Sequence, residues 1–190
     1  MSIDVFFPPP WAAVRTDPAD PQAEGLLADL ADELTPAAAA EAGHFLTAFR
    51  GMLRQAGIGA FASLVVPGDE AELSAFAWAT VSVAPGGPND LPALVDAGAG
   101  GPYDWLDAGG HPVIRDLTVR EGREYMGDDG RCPLILTARY AFYSGDHVAL
   151  LAFESPSLAY REELTSIFDA VAETAAKASS GADSQNSAIE

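Results

Sequence analysis

Cysteine is almost missing from this sequence. Cys132 is the only one in 190 residues, which excludes an internal disulfide framework and a cysteine-rich metal site. Basic residues are scarce as well: 10 Lys and Arg stand against 28 Asp and Glu, a formal charge of −18. Nucleic-acid affinity rests on basic side chains displacing counterions, so a duplex or an anionic leaflet would repel this chain. Long apolar runs are lacking too, and no stretch reaches the length a membrane-crossing helix needs. The opening MSIDVFFPPPW has no basic n-region, continuous apolar core or small-residue cleavage site, so it does not read as a signal peptide. The expectation is a cytoplasmic protein with neither membrane insertion nor nucleic-acid binding. Its charge is read first as solubility from surface carboxylates, and alternatively as steering a basic protein partner toward it.

What is present suffices for a core, since 48% of the residues are apolar. A single domain is expected over residues 1–178. The polar stretch 179–190 has too little apolar content to pack and is expected to be disordered. Residues 3–7 predict a first strand, ended by Pro8-Pro9-Pro10, which offer no N–H to a ladder. Asp20-Pro21 opens a helix with Leu26, Leu27, Leu30 and Leu34 on one face. Thr35-Pro36 opens a second, striped by Ala42, Phe45, Leu46, Phe49, Met52, Leu53 and Ala56 and stopped by Gly57.

Residues 58–66 and 73–84 are rich in β-formers and flank the turn Pro67-Gly68-Asp69-Glu70, which makes a hairpin. A short helix is expected over 91–97, and the Gly-rich stretch 98–111 reads as an irregular loop. Strand patterns follow from Val113, over 134–143 and over 147–153, the last two joined by Ser144-Gly145-Asp146. Ser155 is placed to cap a final helix opened by Pro156, with Tyr160, Leu164, Ile167, Phe168, Val171 and Ala175 on one stripe. Hairpins in place of helical crossovers argue for an α+β fold, a mostly antiparallel sheet flanked by amphipathic helices.

Three segments resemble a known family. "IDVFFPPPW" is similar to the opening strand and proline–tryptophan corner of PsbP-like domains. "HVALLAFESPSLAYREELTSIFDAVAETA" resembles their ending, an apolar strand, a Ser/Thr-Pro step and a helix carrying Phe-Asp. The pair "VIRDLTVREGREYMG" and "LILTARYAFYSG" is similar to small acidic actinobacterial proteins with that ending. The family includes an extrinsic photosystem II subunit, a Ran-binding nuclear transport factor and mycobacterial surface lipoproteins. The resemblance implies an α/β/α sandwich and a binding or accessory role, in some members beside type VII secretion genes. It carries over no catalytic residue. The helices between residues 20 and 56 exceed the family core and a lipobox cysteine is lacking, so the lipoprotein and photosynthetic roles do not carry over.

Chemistry-bearing patterns are weak. Gly57-Ile58-Gly59-Ala60-Phe61-Ala62 has dinucleotide-site spacing, but a helix precedes it and a strand follows, the reverse of that site. Glu41 and His44 sit one helical turn apart without the second half of a carboxylate-bridged metal site. Cys132, beside Arg131 and Pro133, reads as a small buried hydrophobe. No catalytic, metal or cofactor residue is assigned.

The remaining candidate is the loop segment Tyr103, Asp104, Trp105 and Asp107, with aromatics for rigid contact area and carboxylates for a basic partner; the alternative is that Tyr103, Trp105 and Leu106 only lid the core. A non-enzymatic protein-binding module is therefore the first expectation. The alternative is a small cofactor-free enzyme or ligand binder, with Arg115, Tyr125, Arg139 and Asp146 converging on a pocket between sheet and helices. A third reading makes the Phe45, Phe49 and Leu53 stripe a homo-oligomer interface.

Overall fold

The run Ala75-Phe76-Ala77-Trp78-Ala79 is buried at every position, so its strand must be covered on both faces. A computed structural model of the chain describes residues 5–17, 29, 32–70, 72–96, 103–126 and 130–186. Among them, seven strands form one sheet: β1 (Ala12–Arg15), β2 (Ala60–Pro67), β3 (Leu73–Pro85), β4 (Asp104–Asp107), β5 (Pro112–Glu121), β6 (Leu134–Ser144) and β7 (His147–Ser155). The order is β1-β2-β3-β7-β6-β5-β4, and every neighbouring pair is antiparallel. Three helices, α1 (Pro36–Gln55), α2 (Leu91–Asp96) and α3 (Arg161–Asn186), cover it. The architecture is α+β, a sheet between layers of helix.

Period-two alternation sorts side chains between the layers. Leu136, Ala138, Tyr140, Phe142, Leu151 and Phe153 meet Leu164, Phe168, Val171 and Ala175 of α3. The rings of Phe153 and Phe168 stack there, 4.5 Å apart and 14° from parallel. On the opposite face Phe61, Phe76 and Trp78 meet Leu46, Phe49 and Leu53 of α1, while Ile114, Ala141 and Val148 meet Leu91 and Val95 of α2. The α1 stripe is thus a core face. Thr35 Oγ1 caps α1 by accepting from the Ala38 N–H.

Some sequence expectations change. Residues 5–7 are not a strand; the first described strand is Ala12–Arg15, after the prolines. A strand needs ladder partners; Pro8, Pro9 and Pro10 have no N–H to give, and pairing with β2 begins at Ala12. Residues 104–107 are a strand and not irregular loop. Ser155 does not cap α3: it ends β7, donates to the Phe76 carbonyl at 2.5 Å and accepts from the Ser157 N–H. Ser157 Oγ in turn accepts from the Phe76 N–H, so two serines extend the β3–β7 ladder, and α3 starts only after a 3-10 turn at Leu158–Tyr160. The helix runs through 179–186, where the sequence reads as tail, and its Ser179 carbonyl accepts from buried Ser144. Of the helix expected from Asp20, residues 18–28 and 30–31 lie outside the described residues; Asp32 and Glu33 are helical.

Candidate functional edge

The strand β4 has a tight cause. Gly109 and Gly110 have φ of +69° and +92°, the pair of positive values that a two-residue type I′ turn requires. The Ala108 N–H donates to the His111 carbonyl at 3.0 Å, and Asp107 Oδ1 accepts from the Gly110 N–H at 2.5 Å. That turn delivers 104–107 antiparallel to β5, with Trp105 opposite Ile114 and Asp104 opposite Arg115.

Alternation then decides which backbone groups are free. With Ala108 and His111 bonded, Asp107–Pro112 and Trp105–Ile114 are non-bonded pairs of the ladder. Pro112, which has no N–H, fits that register. The N–H and C=O groups of Trp105 and Asp107 therefore face outward. β4 ends the sheet, and among the described residues no strand lies beyond it.

Trp105 is 57% exposed and Tyr103 37%, their rings 6.4 Å apart at 76°. Among the described residues this is an uncovered edge with two aromatics on one side. The other edge strand, β1, is guarded by the preceding prolines and by Arg50, which donates to the carbonyls of Arg15 and Asp17.

The two carboxylates of the segment serve the fold as well. Asp104 Oδ2 pairs with Arg115 Nη2 at 2.8 Å, and Asp107 holds the turn. Arg115 also reaches Asp169 of α3 at 2.9 Å, and Tyr140 donates to that carboxylate at 2.7 Å. The Asp104 hydrogen bond raises the guanidinium pKa of Arg115 against the opposing effect of burial, and burial together with Asp169 pushes the Tyr140 hydroxyl well above its usual value.

Arg115, Tyr125, Arg139 and Asp146 do not share one pocket. Arg115 lies on the α3 face beside Tyr140. Tyr125 and Arg139 lie on the other face in separate groups. Tyr125 donates to Glu154 Oε2 at 3.0 Å, as does the Trp78 indole at 3.1 Å, and Arg120 bonds Oε1 at 2.7 Å. Burial, then Glu154, drives the Tyr125 hydroxyl far up. Arg139 stands 3.9 Å from Asp116. Asp146, at the exposed β6–β7 tip, is held below the usual carboxylate range by a hydrogen bond from His147.

The Glu154 cluster was not anticipated. Its one sequence signal is a carboxylate directly after the apolar run Val148-Ala149-Leu150-Leu151-Ala152-Phe153. His44 and Glu41 are exposed, Cys132 is half-buried, and no three metal-ligating side chains gather among the described residues. Nor is any described helix long and apolar enough to cross a membrane. Compared with family models, with curated proteins and with solved structures, the chain finds no match in any of the three.

Proposed function

We propose that the protein is a non-enzymatic binding module that takes an extended, basic polypeptide segment along the outer edge of β4. The observation that carries this is the pairing of outward backbone groups at Trp105 and Asp107 with the exposed rings of Tyr103 and Trp105. In strand addition, main-chain hydrogen bonds supply affinity and side-chain contacts supply specificity. Aromatic anchors are what such interfaces favour. The formal charge of −18 selects a basic segment and speeds its encounter. The PsbP-like likeness of the chain ends, a cytoplasmic setting and an accessory role beside type VII-like secretion belong to the same proposal.

The test is selection of a random peptide library on the whole folded chain, with binding of the enriched peptides measured by calorimetry. Enriched peptides should be rich in Lys or Arg, bind more weakly as salt rises, and lose affinity at least about tenfold with Trp105→Ala. Enrichment of peptides that bind Trp105→Ala and Tyr103→Ala as well as wild type would sink the proposal.

A further inference from the structure

The strand β4 reads Asp104-Trp105-Leu106-Asp107, two apolar side chains with a carboxylate at each end. Period two splits these four between the faces of the sheet. Asp104 and Leu106 point to the α3 side, where Asp104 meets Arg115 and Leu106 packs on the core beneath α3. Trp105 and Asp107 point to the α2 side, with Trp105 opposite Ile114 of the α2 core. The two carboxylates therefore stand about 10 Å apart along the strand and on opposite faces.

Both can still accept. The Asp104 side chain is 64% exposed and meets Arg115 through Oδ2, while Asp107 is exposed and gives Oδ1 to the Gly110 N–H. A carboxylate has about four lone-pair sites, so each keeps an oxygen for a further donor. A strand lying along the outer edge alternates in the same way. Its residues opposite Trp105 and Asp107 bond to the β4 backbone, and those opposite Asp104 and Leu106 turn their backbone groups away.

We infer, resting on the docking edge proposed above, that the segment taken carries the pattern basic–apolar–apolar–basic, with its two cations on opposite faces. One cation meets Asp104 on the α3 side and the other meets Asp107 on the α2 side. The residues between them lie against Leu106 and Trp105, and a β-branched side chain suits the place opposite Trp105. The charge pattern of β4 is the same read from either end, so the motif is the same for parallel and antiparallel docking. Basic residues two or four apart share one face and leave one carboxylate unmatched. A second copy of the chain does not fit, because its β4 brings carboxylates and like charges across a ladder destabilise it.

The experiment measures binding of capped peptides, equal in length and charge, to the whole chain at low salt by calorimetry. One holds Lys-Val-Val-Lys; the others hold Lys-Val-Lys and Lys-Val-Val-Val-Lys, with valine in the remaining places. The first should bind about threefold more tightly than either of the others. Asp104→Asn and Asp107→Asn keep an acceptor oxygen for Arg115 and for the Gly110 N–H, so they remove charge and retain the fold, as an unaltered thermal melt would verify. Each should weaken Lys-Val-Val-Lys about threefold. Norleucine in place of one lysine should make the peptide indifferent to one of these variants, and norleucine in place of the other lysine to the other. Binding that Trp105→Ala weakens, but that ignores lysine spacing and both asparagine variants, overturns the motif and leaves the edge standing. Absence of binding by all three peptides, or binding that Trp105→Ala does not change, overturns edge and motif together.

Discussion

Replacing Glu154 by alanine strikes the most heavily shared polar group in the sheet. Its carboxylate accepts from Trp78, which is 0% exposed, and from Tyr125, which is 5% exposed. Both donors are buried, so removing the acceptor takes away the partner each has in the structure. Each stranded donor costs about 1–3 kcal/mol, so the pair amounts to about 2–6 kcal/mol. Arg120 adds little, because it keeps Glu124 at 2.5 Å and is 35% exposed. Against a total stability of about 5–15 kcal/mol for a domain, the loss is large. Urea unfolding at neutral pH, followed by tryptophan fluorescence and by circular dichroism, reads it directly. The midpoint should fall with the slope unchanged. In a double-mutant cycle Glu154→Ala and Tyr125→Phe should prove non-additive, because the phenylalanine variant has already removed one of the two stranded donors. A loss below about 1 kcal/mol for Glu154→Ala, or strict additivity, would refute the reasoning.

Alkaline stability should follow from the two buried hydroxyls. Burial raises Tyr125 and Tyr140 above their unfolded pKa of about 10, so their stabilisation is complete below that pH and fades as pH rises past it. Unfolding free energy should drop by about 1.4 kcal/mol per pH unit for each tyrosine above pH ~10, and Tyr125→Phe with Tyr140→Phe should flatten that slope. A Cβ at Gly122 would lie 2.5 Å from Ile135 Cγ1 and 2.9 Å from Tyr125 Cδ2, so Gly122→Ala should cost about 1–3 kcal/mol in the same urea assay. Trp105→Ala, by contrast, removes an exposed ring and should leave stability within about 0.5 kcal/mol of wild type.

Long periodic segments were legible in the sequence because they hold enough residues to show their period. The α1 stripe through Leu46, Phe49 and Leu53, the β2–β3 and β6–β7 hairpins and the α3 stripe through Leu164, Phe168 and Val171 stand where periodicity puts them. The edge strands β1 and β4 are four residues each, too short for alternation to register, and exist through pairing with β2 and β5. One local signal for β4 was nevertheless present: Gly109-Gly110 between DWLD and PVIRD is a two-residue hairpin turn. Composition pointed to Tyr103 and Trp105, but their open backbone edge depends on register. Glu154 was hidden for a different reason, since its partners Trp78 and Tyr125 are 76 and 29 residues away in sequence.

Residue-resolved amide exchange on the whole chain, with and without a library-selected basic peptide, tests the docking edge most directly. The account predicts that the outward amides of Trp105 and Asp107 slow by about 100-fold or more when the peptide is bound, while Leu106, already bonded to β5, changes little. Protection that leaves Trp105 and Asp107 exchanging as before and appears on α1, α3 or the β1 edge would contradict it.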